Sequence, residues 1–148
     1  MTTPLEVTYA VHLLFAGLWA GGVVFATVGV LPSARAGSLE PEPLGTAFSR
    51  LRMLSRGSAL VLFLTGGYMA GQVYTAETLT GSTNGYLVIA MVVLWLVLAA
   101  LVEVGASRIS DGVAEKKVRD PARSATRLYQ AASVAAALLL VIGGVLSV

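Results

Sequence analysis

Four stretches of this 148-residue sequence contain no charged side chain, and each is long enough to cross a lipid bilayer as a helix. They are residues 7–34, 57–76, 78–102 and 128–148, with lengths of 28, 20, 25 and 21 residues. A helix needs about 20 apolar residues to cross a hydrocarbon core about 30 Å thick. Because lipid offers the backbone no hydrogen-bonding partner, each stretch is predicted to be helical. The composition agrees, since 56% of the residues are hydrophobic and only 12% are charged.

The predicted fold is an all-α integral membrane protein, in which four transmembrane helices form one bundle and a single domain over residues 1–148. The helices are expected at about 5–31, 44–74, 86–108 and 122–147. The prolines of the segment LEPEPLG should end the first helix, and Pro43 is well placed to open the second. An apolar stripe is then expected before the membrane, made of Leu44, Phe48 and Leu51.

All ten Lys and Arg side chains lie in two of the segments that connect the apolar stretches. Four lie between the first and second stretches and six between the third and fourth, whereas both termini and the loop at 75–85 carry none. Because basic loops are retained in the cytoplasm, both termini are predicted to lie outside the cell membrane and both basic loops inside. This topology and the anionic head groups of the lipid bilayer account for the basic residues, so no nucleic-acid partner is predicted. Glu103 ends the third stretch and is expected at the interface, near Arg108.

Glycines recur in the first two apolar stretches with the spacing of helix-packing motifs. Gly17 and Gly21 are four residues apart, as are Gly67 and Gly71, and Gly22 adjoins the first pair. This spacing lets membrane helices approach closely and gain van der Waals contacts. Close packing is therefore expected at these glycines, with room for a flat cofactor or a substrate as the alternative. The same spacing is compatible with a homodimer or with another membrane-complex partner.

The only histidine, His12, lies inside an uncharged run, where an ionisable group is usually retained for function. If the helices alternate in direction, His12, Met69 and Met91 each lie about 8 Å below the outer interface, at about 1.5 Å per residue. One imidazole and two thioethers form a soft donor set that suits Cu(I), and a His with a Met can ligate a haem axially. The alternative for both methionines is that they fill the apolar core.

Four further residues are expected to line or support an outward-facing site around His12. Phe15 and Trp19 fall on the same helical face as His12, so they should form its wall. Inside the bundle, the imidazole N–H needs a hydrogen-bond acceptor, which Gln72 or a backbone carbonyl can supply. Tyr68, on the same predicted helix as Gln72, is expected to join this support near the outer surface.

The first helix resembles the H-x6-W-x-G-G-x-x-F signature of the copper resistance protein D family, through the residues His12, Trp19, Gly21, Gly22 and Phe25. The following segment FSRLRMLSRGSALVLFLTGGYMAG is similar to the next helix of that family. The resemblance covers about the first half of the chain and implies a multi-helix membrane bundle linked to copper uptake or handling. A related membrane family of the haem pathway uses a comparable helix-borne His as a haem ligand, so the resemblance also suggests haem as the ligand of His12. The single His of this chain departs from both families and excludes bis-histidine haem ligation within one protomer.

Three functions from different classes follow from these features. The first is the handling or transport of copper, as in the copper resistance protein D family, at a site of His12 with Met69 or Met91. The second is haem b binding, with His12 as one axial ligand and a Met, or His12 of a second protomer, as the other. The third is a non-catalytic structural subunit of a membrane complex. No catalytic residues are predicted, because the sequence has no second His, no Cys and no carboxylate pair to serve as acid and base.

Overall fold

The computed structural model describes residues 1–148 as six α-helices without a β-strand. The first helix, α1 (Pro4–Phe25), continues through a π-helical turn (Ala26–Val30) into α2 (Leu31–Arg35). The others are α3 (Pro41–Val73), α4 (Ala76–Gly81), α5 (Thr83–Ala114) and α6 (Arg119–Leu146). The all-helical fold that the apolar stretches predict is therefore confirmed.

Four long helical segments form a bundle, and each runs antiparallel to its neighbours in space. The first segment, α1 with α2, contacts α3 and α6, and α5 contacts the same two helices, so that the four close into a ring. The two loops with Arg and Lys meet at one end, which we call the basic end. Both termini and the short α4 lie at the opposite end, which we call the terminal end.

Three of the long helices are apolar enough to cross a membrane, namely Pro4–Arg35, Thr83–Ala114 and Arg119–Leu146. The helix α3 has 33 residues but is less apolar than these. Its first half carries three arginines, and glycines and Gln72 dilute the apolar residues of its second half. Membrane crossing is thus supported for three of the four predicted spans. Crossing by α3 stays a prediction, as does the side of the membrane on which the termini lie.

A proline explains the π-helical turn in the first segment. Pro32 has no N–H to donate, and in a regular α-helix its ring would crowd the carbonyl four residues back. The helix accommodates one extra residue instead, and Leu31 N–H donates to the carbonyl oxygen of Ala26, five residues back. The segment therefore continues past Pro32 to Arg35, whereas the sequence predicts an end near residue 31.

The end of α5 also lies beyond its predicted position, at Ala114 instead of residue 108. Lys117 N–H donates to the Gly112 carbonyl oxygen at 2.9 Å, and Lys116 N–H donates to the Val113 carbonyl oxygen at 2.8 Å. Lys116 has a φ of 58°, which places it in the left-handed region. Together these features form a Schellman motif, which ends a helix without a proline.

The tightly packed part of the bundle lies in its basic half. The predicted apolar stripe of α3 is confirmed there, because Leu44, Phe48 and Leu51 are all buried. The ring of Phe48 packs edge-on against Tyr129, with centroids 5.1 Å apart. The Tyr129 hydroxyl donates to the Val102 carbonyl oxygen at 3.1 Å, so its polar atom is satisfied within the core.

The terminal half of the bundle is packed less tightly. Its boundary is marked by the last buried side chains on the four long segments, which are Trp19, Ser58, Leu98 and Ala136. Beyond these positions, toward the terminal end, Gly85 is the only buried residue, and inward-facing residues are half-buried. The bundle is therefore more open at the terminal end than at the basic end.

Four of the five predicted packing glycines do not lie at helix contacts within the chain. They are exposed, and a Cβ built on them would meet no atom of another helix within 4 Å: Gly17, Gly21, Gly67 and Gly71. Gly22 alone packs as predicted, because its Cβ position lies 3.1 Å from a methyl carbon of Leu54. Glycine spacing indicates a smooth helix face, but it does not tell which face turns toward the bundle.

Glu103 pairs with arginines of α3 and not with Arg108, its expected neighbour. Its carboxylate accepts hydrogen bonds from the Arg56 guanidinium, and Arg52 Nε lies 3.5 Å from Glu103 Oε1. Arg108 donates instead to the Ser124 carbonyl oxygen at 3.1 Å. The ion pairs link α3 to α5 at the basic end, although exposed pairs of this kind contribute little to stability.

Candidate functional site

His12 lies on the inward side of α1, half-buried against α3 in the terminal half of the bundle. Its Nδ1 lies 2.7 Å from Thr65 Oγ1. Its Cε1 lies only 3.2 Å from the point where a Cβ would stand on Gly66. Because Gly66 has no side chain, the imidazole can lie directly against the backbone of α3. The only histidine of the chain thus contacts α3.

The hydrogen bonds of Thr65 bear on which ring nitrogen of His12 carries the proton. Thr65 Oγ1 lies 2.7 Å from the carbonyl oxygen of Val61, and a carbonyl can only accept. A hydroxyl has a single proton, so when Thr65 donates it to Val61, the contact with His12 is a hydrogen bond that Thr65 accepts. In that arrangement His12 carries its proton on Nδ1, and Nε2 keeps its lone pair. A neutral imidazole with a free Nε2 is a competent metal ligand.

Phe15 and Trp19 share a face of α1 with His12, as the helical spacing predicts. Phe15 is half-buried, and Trp19 is only 1% exposed. Trp19 lies two turns from His12 toward the basic end, where the tightly packed core begins. Trp19 therefore lies between His12 and the basic end, and Phe15 lies between His12 and Trp19 along the helix.

The two methionines are placed differently with respect to His12. Met69 follows Thr65 by one turn on the same side of α3 and is half-buried. Met91 lies on α5, and its methyl carbon is 3.8 Å from the Cβ position of Gly143 on α6. No hydrogen bond joins either sulfur to the imidazole. Met69 thus lies beside the partner of His12, whereas Met91 packs against a different helix.

Tyr68 and Gln72 do not support His12, in contrast to the prediction. Both side chains are exposed, and neither is hydrogen-bonded to the imidazole. The acceptor is Thr65, which lies deeper in the same helix. Thr65 is not among the residues that the sequence pattern predicts for this site, although the sequence contains a signal for it. A hydroxyl within an apolar helix needs a partner, and Thr65 lies at nearly the depth of His12.

Three buried polar atoms lie on α1 and α3 closer to the basic end, and all lack a hydrogen-bond partner: Trp19 Nε1, Arg52 Nε and Ser58 Oγ. Ser58 and Thr65 belong to the inward side of α3, seven residues or about two turns apart. The inward side of α3 therefore carries two hydroxyls in the middle of the bundle.

The donor set at this site is small. Among residues 1–148, no group of three or more His, Cys, Asp or Glu side chains could hold a metal ion. His12 Nε2 is the one nitrogen donor, and the Met69 thioether is the next soft donor along α3. Soft ligands of this kind favour Cu(I) over hard cations.

A comparison with known protein families bears on the same question. The model of a family described as copper resistance protein D matches residues 45–148, which is more than two thirds of the chain. The chain belongs to the copper resistance protein D family. No curated protein and no solved structure matches it. With three helices apolar enough to cross a bilayer, it is a membrane protein of this copper resistance family.

The family match begins after α1 and runs through α3, α4, α5 and α6. The predicted resemblance instead covers the first half of the chain and treats the rest only as further apolar helix. Its second segment, residues 48–71, lies inside the match, whereas the pattern from His12 to Phe25 lies outside it. Family membership is thus carried by α3 to α6. The role of His12 depends on the geometry of the site.

Proposed function

We propose that this member of the copper resistance protein D family binds copper ions at the terminal end of its bundle, with His12 as the principal ligand. The observation that carries the proposal is the bond between His12 Nδ1 and Thr65, which leaves Nε2 free in the more open half of the bundle. A neutral imidazole nitrogen binds soft monovalent copper well. Copper is the cargo in this proposal and not a resident cofactor.

Met69 is the second proposed ligand. It follows Thr65 by one turn on α3 and is half-buried on the terminal side of the His12–Thr65 pair. A thioether is a soft donor that adds affinity for Cu(I) without adding a charge to the site. Met91 would have to leave its contact with Gly143 before it could take part, so we place it outside the ligand set.

The terminal end is proposed to face the outside of the cell membrane, with α3 as the fourth span. The support is the placement of all ten Lys and Arg residues in the two loops of the basic end. Copper would then reach His12 from outside. The tightly packed core that begins at Trp19 lies between this site and the basic end, so transport would require the core to open.

A copper titration tests the proposal. The purified protein in detergent would be titrated with Cu(I) without oxygen, in competition with a coloured chelator of known affinity. We expect one ion per chain in the wild type and no binding in His12→Ala. We expect Met69→Leu to weaken binding on the order of tenfold, which corresponds to about 1.4 kcal/mol. The matched control is Met53→Leu, because Met53 is an exposed methionine of α3 and should leave the affinity unchanged.

Three results would contradict this function. Copper binding by His12→Ala equal to that of the wild type would exclude His12 as the ligand. A Soret band in the visible spectrum of the wild type, lost in His12→Ala, would identify haem b as the ligand of His12. A wild type that binds neither copper nor haem would leave the structural-subunit function.

A further inference from the structure

We infer that Thr65 is a positioning residue that fixes the proton of His12 on Nδ1 and so reserves Nε2 for a metal ion. The protonation pattern follows from the contacts between α1 and α3 alone. Its consequence for copper rests on the proposed function. Neither the family match nor the glycine spacing points to Thr65, because its role depends on a contact with a residue 53 positions away.

The Thr65 hydroxyl is itself held in place. It donates to the Val61 carbonyl oxygen at 2.7 Å, and the Leu62 carbonyl oxygen lies 3.5 Å away. Its one proton is therefore engaged within α3, and only its lone pairs remain for the 2.7 Å contact with His12. A fixed acceptor at Nδ1 selects the neutral form with the proton on that nitrogen.

The same contact selects the orientation of the imidazole ring. A half-turn of the ring about its Cβ–Cγ bond would place the carbon Cδ2, in place of Nδ1, beside Thr65 Oγ1. That carbon cannot replace the N–H donor, so the hydrogen bond would be lost. Gly66 restricts the ring further, because the ring carbon Cε1 of His12 already lies close to its backbone. With Nδ1 directed at Thr65, Nε2 is directed away from the Thr65 hydroxyl.

Partner groups of this kind tune metal sites generally. A ligating histidine commonly donates its other N–H to a fixed acceptor, and loss of that acceptor typically lowers metal affinity 10- to 100-fold. The acceptor is usually a carboxylate, a carbonyl or a water. A threonine hydroxyl performs this role here without placing a charge in the apolar part of the bundle.

The first experiment measures the proton position without copper. Because His12 is the only histidine, a protein labelled with 15N-histidine gives one pair of ring-nitrogen NMR signals, provided that the affinity tag contains no histidine. At about pH 8 the imidazole is neutral, so the two shifts report which nitrogen carries the proton. In the wild type we expect the proton on Nδ1. In Thr65→Val the acceptor is lost, and we expect a shift of the proton population toward Nε2.

Two matched variants separate positioning from a general loss of structure. Thr65→Ser keeps the hydroxyl and should keep the wild-type signals. Ser58→Ala removes a buried hydroxyl on the same side of α3 that has no hydrogen-bond partner, and it should also leave the signals unchanged. Thr65→Ser remains informative if Thr65→Val fails to fold. A wild-type spectrum of Thr65→Ser supports the hydroxyl as the acceptor. A Thr65→Ser spectrum with the proton on Nε2 contradicts that role.

The second experiment repeats the Cu(I) titration with the same variants. We expect Thr65→Val to bind roughly 10- to 100-fold more weakly than the wild type, and Thr65→Ser to bind with the wild-type affinity. The inference would be overturned if the wild-type protein carried the His12 proton on Nε2. It would also be overturned if the wild type and Thr65→Val gave equal spectra and equal affinities for Cu(I). A shifted proton in Thr65→Val together with a wild type that binds no copper would refute the proposed function and leave the positioning role intact.

Discussion

At the scale of single residues, Gly105 and Gly21 both lie in apolar helices but differ in how closely the neighbouring helices pack against them. A Cβ built on Gly105 would lie 2.5 Å from a ring carbon of Tyr129, whereas one built on Gly21 would meet no atom of another helix within 4 Å. The Tyr129 ring has little freedom to move, because Phe48 packs against it and its hydroxyl donates to the Val102 carbonyl. The contact between α5 and α6 thus depends on Gly105.

The two glycines should respond in opposite directions to the same substitution. Gly105→Ala should lower the free energy of unfolding by about 1–3 kcal/mol, because the new methyl group overpacks the core. Gly21→Ala should raise it by up to about 1 kcal/mol, because alanine favours the helix and finds open space. Thermal unfolding in detergent measures both effects. Equal shifts of the two melting temperatures would argue against this packing.

At the scale of the helical element, the end of α5 carries a residue that is poorly suited to its backbone conformation. Lys116 has a positive φ in the Schellman motif, where glycine is the favoured residue. A side chain in the left-handed region costs roughly 1–2 kcal/mol, of which glycine would recover part. The corresponding position after α2 is already a glycine, Gly37, with a φ of 75°.

Lys116→Gly should therefore stabilise the protein by about 0.5–1 kcal/mol. The substitution removes the backbone strain, and the greater freedom of glycine in the unfolded chain offsets part of that gain. Chemical unfolding followed by circular dichroism would measure the change. The control is Ala100→Gly, at an exposed position in the middle of α5, which should destabilise by about the same amount. Destabilisation by both substitutions would show that Lys116 is not strained.

Local sequence rules succeed for some elements and fail for others. The apolar stripe of Leu44, Phe48 and Leu51 is predictable because an i, i+4, i+7 pattern defines a helix face that must be buried. The π-helical turn before Pro32 is harder to predict, because a proline can kink, end or shift a helix. Thr65 was missed for a similar reason, since the partner of His12 depends on how α1 and α3 pack.

At the scale of the whole molecule, the bundle combines a tightly packed basic half with a more open terminal half. The apolar stretches predict the helices and their order, but they contain no signal for this difference in packing. Buried alanines such as Ala122, Ala125 and Ala132 bring the helices close in the basic half. In the terminal half, the only polar anchor between α1 and α3 is the His12–Thr65 bond. The location of the site follows from this asymmetry, which only the folded chain reveals.

The topology of the whole chain is tested most directly across α3, the least apolar of the four long helices. The protein has no cysteine, so single cysteines can be placed at Ser38, before α3, and at Thr83, after it. Both residues are exposed, and neither side chain makes a hydrogen bond. The ten-to-none distribution of basic residues predicts Thr83 outside and Ser38 inside the cell.

An impermeant thiol reagent applied to intact cells should therefore label Thr83→Cys, and it should label Ser38→Cys only after the membrane is permeabilised. Labelling of both variants in intact cells, or of neither, would show that α3 does not cross the membrane. Labelling of Ser38→Cys alone would reverse the orientation. In that case copper would reach His12 from the cytoplasm, and the proposed direction of binding would be wrong even if the site itself were correct.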